Sequence, residues 1–346
     1  MRDLVVAGGG PVGLATGLYA ARAGLDVVVR EPRQVPIDKA CGEGLMPGAV
    51  ADLAALGVFP HGRPLAGIRY LDARAGGAVA EAPFRSGPGR GVRRTTLQSA
   101  LADRLTEAGV QTEPLAVRSV HDAGDHLLVD DEPARWLIAA DGLHSPVRRL
   151  LGLDRPVRGR RRFGLRCHVA QAPWTPYVEV HWAPGAEAYV TPVADDLVGI
   201  AVLTDRGTRF EDALAGFPLL TERLTGERSA VLGAGPLRQR ASRRVAGRVL
   251  LVGDAGGYVD ALTGEGIALG LAQARSAVAA VAAGEPARYE ADARRLGRKH
   301  ELLTRALLTA TAAAPLRRRI VPAAARLPRV FAAAVNQLAS PIGAPS

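Results

Sequence analysis

Several apolar runs of this sequence end in glycine or in an acidic residue. Gly8, Gly10 and Gly13 follow the run DLVVA, and Glu31 ends the next apolar run, 18 residues after Gly13. Glycines at such a turn let the backbone approach a pyrophosphate, and the free N–H groups of the following helix favour an anion. A carboxylate at Glu31 can accept hydrogen bonds from both ribose hydroxyls of an adenosine and disfavours a 2′-phosphate. The pattern therefore predicts a bound dinucleotide, NAD or FAD rather than NADP.

Two later apolar runs end in the same kind of signal. Asp141 and Gly142 follow RWLIAA, and Gly253 and Asp254 follow RVLLV. After the second run, residues 264–266 are Gly-Glu-Gly and lead into an alanine-rich run that is expected to be a helix. The glycines would let a ligand approach the N-terminus of that helix. Each signal alone is compatible with an ordinary strand–helix connection. Their order along the chain favours a cradle for an anionic ligand.

The elements around these residues predict a parallel sheet that is interrupted by a second sheet. The N-terminal stretch reads strand, glycine turn, helix, strand, which is the start of a βαβ unit. Helices are expected at 47–58 and at 95–109, the second closed by Gly109. Between 164 and 204, four short runs separated by Pro, Gly and Asp are typical of an antiparallel sheet. The parallel pattern returns at Arg248.

These patterns together predict an α/β fold with discontinuous domains. We expect a Rossmann-like dinucleotide-binding domain, an inserted antiparallel-sheet substrate domain and a helical C-terminal tail. The expected ranges are 1–70, 92–155 and 245–290 for the first domain, 71–91 and 156–244 for the second, and 291–346 for the tail.

The composition favours a globular protein over a disordered or membrane-spanning one. The chain has 346 residues, of which 48% are hydrophobic and 23% charged, values that are ordinary for globular domains. Cys41 and Cys167 are its only cysteines, too few for a disulfide framework, and no Cys/His spacing predicts a metal site. The N-terminus lacks the pattern of a signal peptide, and no run is long enough to span a membrane. We therefore expect a cytoplasmic protein.

The net charge of +10 is concentrated near the C-terminus. From Arg294 onward the sequence has ten basic residues and one acid, Glu301, an excess of nine. Such a segment could contact an anionic membrane surface or an acidic partner, or it could be a solvated helix face packed on the main domain. The segment RSGPGRG at 85–91 lacks aromatic residues, so a loop is expected there and no nucleic-acid partner is predicted.

At this point the chain resembles the FAD-dependent oxidoreductases of the aromatic-hydroxylase (group A flavin monooxygenase) superfamily. That superfamily includes geranylgeranyl-reductase-like enzymes and flavin-dependent halogenases. The resemblance covers residues 3–282 and rests on three motifs in the family's order. They are the glycine fingerprint, Asp141-Gly142 and Gly253-Asp254.

The resemblance implies FAD as the cofactor and gives roles to individual residues. Glu31 would bind the adenosine ribose, Arg94 and Gln98 would face the pyrophosphate and the flavin, and Asp254 would bind the ribityl chain. Asp141 would support the cofactor region and a visiting nicotinamide dinucleotide. The full set of cofactor contacts that it implies is Gly8, Gly10, Pro11, Val12, Gly13, Glu31, Lys39, Cys41, Gly42, Arg94, Gln98, Val117, Asp141, Gly142, Asp254, Gly264, Gly266 and Ile267.

Two features bear on the branch of the superfamily. The stretch DKACGEGLMP at 38–47, and Glu265 where typical hydroxylases have Gln, resemble the geranylgeranyl-reductase-like branch. Prenyl reductases are longer, however, which favours an NADH- or NADPH-driven monooxygenase of secondary metabolism. It would hydroxylate or epoxidise an apolar or aromatic small molecule, free or bound to a carrier protein, through a flavin C4a-hydroperoxide. A double-bond reductase is the alternative, and a halogenase or a non-catalytic FAD sensor is less favoured.

The candidate catalytic residues are Cys41, Glu43, His168 and His181. Cys41 could donate a proton in a double-bond reduction, or it could be a small thiol packed near the flavin. Glu43 could steer a proton or cap its loop. His168 and His181 lie on expected strands of the inserted sheet, where each could face substrate or serve a structural role.

Overall fold

The computed structural model describes residues 1–74, 76–157 and 159–343. Its helices are α1 (Pro11–Arg22), α2 (Pro47–Ala55), α3 (Arg94–Glu107), α4 (Pro146–Leu150), α5 (Phe210–Leu214), α6 (Pro218–Thr221), α7 (Gly266–Ala282), α8 (Pro286–Ala312), α9 (Ala314–Arg317), α10 (Ile320–Arg326) and α11 (Pro328–Ala339). Its strands are β1 (Arg2–Ala7), β2 (Val27–Arg30), β3 (Gly44–Leu45), β4 (Arg63–Leu65), β5 (Gly67–Asp72), β6 (Val79–Pro83), β7 (Gly89–Gly91), β8 (Gln111–Glu113), β9 (Val120–Asp122), β10 (Leu127–Val129), β11 (Glu132–Ala139), β12 (Arg162–Ala170), β13 (Tyr177–Ala183), β14 (Ala186–Ala194), β15 (Leu197–Asp205), β16 (Glu227–Arg228), β17 (Leu232–Ala234), β18 (Gln239–Arg240), β19 (Val245–Ala246), β20 (Val249–Leu251) and β21 (Gly257–Tyr258).

The first sheet is the parallel sheet that the βαβ pattern predicts. Its strand order is β19-β20-β11-β1-β2-β8, with β10 added antiparallel to β11 and β9 antiparallel to β10. The pairs β1–β2, β1–β11, β11–β20 and β2–β8 are parallel. Helices α1, α3 and α7 bury their apolar side chains on one face of this sheet. The carboxyl ends of β1, β11 and β20 therefore lie side by side, and each is followed by one of the predicted glycine or acid signals.

The second sheet confirms the inserted sheet and differs from the expectation in one pairing. Its order is β16-β12-β15-β14-β13-β5-β6, and most pairs are antiparallel. The pair β13–β5 is parallel, because these strands are joined by a long crossover through α3 and the first sheet rather than by a hairpin. Strand β5 also begins the inserted sheet at Gly67, ahead of the expected boundary at residue 71.

The basic C-terminal segment folds back onto the second sheet. Helices α10 and α11 pack on β6. On α11, the Asn336 side-chain amide donates to the Pro83 carbonyl at 2.9 Å and accepts from the Arg85 N–H at 2.8 Å. The Phe331 ring lies 4.7 Å from the Tyr70 ring. The helical tail predicted from the sequence is therefore part of the packed structure.

The remaining helix predictions are confirmed with small changes of boundary. Helix α2 ends at Ala55, three residues before the expected end, and Gly57 follows with a positive φ of 76°. Helix α3 ends at Glu107, and Gly109 has a φ of 73°, a conformation in which glycine ends a helix without steric cost. Within the described ranges, none of the helices has the length and apolar character that crossing a bilayer requires.

Candidate active site

A cavity of about 270 Å³ lies between the two sheets. One half of its wall is polar and comes from the loops that follow the parallel strands. The other half is apolar and comes from the second sheet and from α11. The polar half includes Lys39, Arg94, Asp141 and Asp254, and the apolar half includes Ile68, Val178, Val180, Leu203, Leu237, Val335 and Leu338. The cavity can therefore hold a charged ligand at one end and an apolar one at the other.

The glycine turn after β1 forms the floor of the polar half. A Cβ added at Gly13 would lie 1.8 Å from the Gly8 carbonyl oxygen, and one added at Gly8 would lie 2.6 Å from the Ala140 carbonyl oxygen. Gly10 is the N-cap of α1 and has no side chain to cap it. The first N–H groups of α1 thus remain available to an anion at the cavity. Gly8 and Gly13 thus let the turn pack closely on the protein's own backbone, and the open N-terminus of α1 at Gly10 fits the pyrophosphate of a dinucleotide.

Glu31 lies behind this turn. Its carboxylate accepts hydrogen bonds from the Gly9 N–H at 2.8 Å and from the Arg33 Nε at 2.8 Å. Burial alone would raise the pKa of Glu31, but the hydrogen bonds from Arg33 and Gly9 outweigh it and lower the pKa below its usual value. The carboxylate is thus ionised and fixed at the end of β2, while its contact with a ribose stays a prediction. Arg33 also lines the cavity and was not predicted from the sequence.

Gln98 also lies behind the cavity wall. Its side-chain amide donates to the Gly9 carbonyl at 2.7 Å and accepts from the Ile37 N–H. It therefore connects α3 to the glycine turn and to the loop that carries Lys39 and Cys41. Arg94, one turn earlier on α3, lines the cavity itself, and its Nε has no hydrogen-bond partner in the described part of the chain.

Asp141 and Asp254 bring two acids to the carboxyl ends of β11 and β20. Asp141 accepts from the Val147 N–H at 3.0 Å through one oxygen, and its other oxygen is buried without a partner among the described residues. Burial raises the pKa of Asp254, although Lys39, Arg94 and Arg148 oppose the shift. Burial lowers the pKa of Lys39, and Asp254 opposes that change. The unpartnered oxygen of Asp141 and the charged side chains of Asp254 and Lys39 all lie at the polar end of the cavity. They fit a ligand with several hydroxyl groups, such as a ribityl chain.

Residues 38–43 connect this polar end to the second sheet. Glu43 has a positive φ of 58°, and its carboxylate accepts from the Arg94 N–H at 2.9 Å and lies 2.7 Å from His168 Nε2. Arg166 Nη1 lies 3.1 Å from His168 Nδ1 and can only donate, so the imidazole N–H must face Glu43. The Glu43 N–H in turn donates to Cys41 Sγ at 3.5 Å. The network fixes the loop that holds Cys41 in the cavity wall.

A second buried network holds the loop that precedes α7. Glu265 is the N-cap residue of α7, and its carboxylate lies 2.6 Å from His300 Nδ1 on α8. Thr263 Oγ1 contacts His300 Nδ1 and Thr304 Oγ1 at 3.3 and 3.2 Å. Gly264 and Gly266 of this loop line the cavity. His300 could not be predicted from the sequence, because a histidine on a long charged helix has no recognisable spacing to a loop 35 residues earlier.

The predicted residues divide into those at the cavity and those behind it. The cavity is lined by Gly10, Pro11, Val12, Lys39, Cys41, Gly42, Glu43, Arg94, Asp141, Gly142, Asp254, Gly264, Gly266 and Ile267. Gly8, Gly13, Glu31, Gln98 and His168 support it from behind. Val117 is buried in the core on the other face of the parallel sheet. His181 lies 3.2 Å from Glu179 Oε2, and its neighbours Val178 and Val180 face the cavity, so His181 points to the opposite side of β13.

Replacing Asp254 with asparagine should weaken FAD binding and stabilise the FAD-free chain. Because folding raises the pKa of Asp254, the folded chain loses stability as pH rises from about 3.8 through the raised pKa. Asparagine does not ionise, so the variant does not lose this stability. FAD affinity should fall about tenfold or more, because a charge-assisted hydrogen bond is lost. Melting curves of the FAD-free protein at about pH 4 and about pH 8, with FAD titrations, measure both effects.

Asp52→Asn is the matched control for this substitution. Burial raises the pKa of Asp52 as well, against the opposing effect of Arg275, but its carboxylate pairs with Arg275 and neither residue lines the cavity. The control should leave FAD affinity unchanged. Equal losses of affinity in the two variants would contradict a role for Asp254 at the cofactor.

Comparison with known proteins agrees with this geometry. Residues 1–193 match the family model described as FAD binding domain. A menaquinone reductase of Mycolicibacterium smegmatis is 31% identical over 322 residues, which cover 82% of this chain and 76% of the relative. A digeranylgeranylglycerophospholipid reductase of Methanothermobacter thermautotrophicus is 28% identical, over 87% of this chain and 81% of the relative.

Among solved structures, the p-nitrophenol 4-monooxygenase of Pseudomonas putida superposes with a TM-score of 0.80 at 18% identity. The alignment covers 98% of each chain. At this identity the likeness concerns the fold alone. The two-sheet fold and its helical C-terminal region are thus shared with a monooxygenase.

Proposed function

Because the chain belongs to the FAD binding domain family and is an FAD-dependent oxidoreductase, we propose that it reduces a carbon–carbon double bond in an isoprenoid-like substrate. The observation that carries this proposal is Cys41, which lines the cavity together with the polar loops after the parallel strands and the aliphatic side chains of the second sheet. A double-bond reduction needs a proton donor in that cavity, whereas flavin monooxygenation needs little from side chains.

The polar half would hold the cofactor. The turn at Gly10–Val12 would bind the pyrophosphate, Asp254 the ribityl chain, and the N-terminus of α7 at Gly266 the pyrimidine edge of the flavin. The hydride for one carbon of the double bond would come from bound FAD that NADH or NADPH has reduced.

Cys41 then supplies the second hydrogen as a proton to the other carbon. Hydride plus proton saturates the double bond, so charge and atoms balance, and solvent returns the proton to the thiolate. Glu43 and His168 hold the loop of Cys41 by the hydrogen bonds described above. These two residues act by positioning that loop, and His168 does so from behind the cavity wall.

The apolar half would bind the substrate chain. Side chains of Val178, Val180 and Leu203 from the second sheet face Val335 and Leu338 from α11 across the cavity. A wall of aliphatic side chains from both sides suits a branched hydrocarbon chain and excludes water from the reacting carbons. The relatives' names point the same way, since one names a quinone and the other a geranylgeranyl-bearing phospholipid.

A monooxygenase of an apolar or aromatic molecule is the second candidate. The same apolar wall would exclude water from an oxygenation, and the fold is shared with a monooxygenase. A monooxygenase reaction would not use the thiol of Cys41.

Anaerobic turnover distinguishes the two reactions. Purified protein should be yellow, and NADH or NADPH should bleach it under anaerobic conditions. Adding a menaquinone or a geranylgeranyl lipid should restore the yellow colour and give a saturated product without oxygen. A product that forms only with oxygen, and that carries an oxygen atom, would show the monooxygenase instead. Colourless protein that cannot be reconstituted with FAD would contradict both.

A further inference from the structure

The helices that close the cavity carry a surface that is both basic and apolar. We call residues 316–330 the C-terminal surface. Three large apolar side chains of this surface are exposed: Leu316 at 50%, Leu327 at 57% and Val330 at 62%. It also carries five arginines, and the sequence has no acidic residue after Glu301. The arginines are Arg317, Arg318, Arg319, Arg326 and Arg329.

We propose that the C-terminal surface binds an anionic lipid bilayer. Each arginine near an anionic surface is attracted to it, and no carboxylate within the segment opposes that attraction. Exposed leucine and valine side chains can enter the interface between headgroups and acyl chains. A merely solvated helix face would need the arginines but would gain nothing from exposing Leu327 beside Arg326 and Val330 beside Arg329.

The position of the surface connects it to the cavity. Val330 is exposed on the same helix whose residues Val335 and Leu338 line the cavity. Five residues of helix span about 7.5 Å, so the docked face lies close to the cavity wall. Helix α11 packs on β6 through Asn336 and on β5 through Phe331, whose ring contacts Tyr70. A substrate dissolved in the bilayer could therefore enter the cavity beside the docking face, a consequence that rests on the proposed function.

Vesicle binding by the FAD-loaded protein tests the proposal. Vesicles of phosphatidylcholine with roughly 30% phosphatidylglycerol should bind the protein, pure phosphatidylcholine should bind it weakly, and salt should reduce binding. Arg318→Glu with Arg319→Glu should weaken binding to the anionic vesicles by about 30-fold or more. Leu327→Ser with Val330→Ser should also weaken it. FAD absorbance of each variant shows that it is folded.

A pair of exposed residues elsewhere provides the matched control. Leu115→Ser with Arg118→Glu changes one exposed apolar and one exposed basic residue beside the parallel sheet and should leave vesicle binding unchanged. Equal binding to neutral and anionic vesicles, or unchanged binding by the arginine variant, would overturn the proposal. Binding to an acidic polypeptide such as polyglutamate but not to vesicles would also overturn it, in favour of a protein partner.

The failure of this proposal is separable from the failure of the proposed function. Turnover of a detergent-dispersed substrate needs the cavity but not the bilayer. The arginine variant should therefore keep that turnover while losing vesicle binding. A protein that binds anionic vesicles but reduces no double bond would contradict the proposed function and leave the docking surface standing.

Discussion

Replacing Cys41 with alanine should slow reduction of the double bond about 100-fold or more, while NADH or NADPH still bleaches the bound flavin. The expected size is that of a lost general acid. Bleaching should persist, because reduction of the flavin does not use the thiol. Stopped-flow absorbance under anaerobic conditions separates the two half-reactions, and the return of the yellow colour on adding substrate measures the affected one.

Cys167→Ala is the control for loss of a thiol. Cys167 is buried in the core of the second sheet, where burial raises its pKa to about 11. This variant should turn over substrate at nearly the normal rate. If Cys41→Ala does the same, the thiol only packs against the cavity, and the case for a reductase loses its main support. A change in the pH profile of the substrate step in Cys41→Ala alone would support proton donation.

The fold was predictable where the signals are local. An apolar run, a glycine turn and a helix lie within about 20 residues at the N-terminus, so β1 and α1 could be read directly from the sequence. The parallel pairing of β5 with β13 could not, because these strands are far apart in the sequence and neither carries a signal for its partner. The packing of α11 on β6 could not be predicted either, because these two elements are also far apart in the sequence.

Site residues that directly follow a strand could be predicted from the sequence. Residues that position another side chain by a long-range contact were much harder to predict. Asp141 and Asp254 could be placed because the carboxyl ends of neighbouring parallel strands meet. The contact between Glu43 and His168 joins residues 125 apart. Each of these two residues could be proposed from the sequence, but only the tertiary structure shows that His168 contacts Glu43 and does not line the cavity.

Replacing Glu265 with alanine should lower the free energy of unfolding by about 1–3 kcal/mol, the cost of leaving a buried polar group without its hydrogen-bond partner. Glu265 and His300 are both buried, and the variant leaves the imidazole without its acceptor carboxylate. Urea denaturation with excess FAD measures the change. Glu301→Ala is the control, because its carboxylate is more exposed and pairs with Arg305 at the surface, and it should cost at most about 1 kcal/mol.

Glu265→Gln separates the hydrogen bond from the charge. Glutamine can still accept a hydrogen bond from His300, so this variant should lose much less stability than the alanine variant. Burial raises the pKa of Glu265 above its usual value near 4.5, and the contact with His300 only partly opposes the shift. A carboxyl with a raised pKa makes the folded chain less stable as pH rises from 4.5 through that pKa. The glutamine variant has no such loss, so its stability relative to the native chain should increase with pH. A difference that does not change with pH would show that the ionisation of Glu265 does not affect folding, and that its hydrogen bond alone holds the loop before α7.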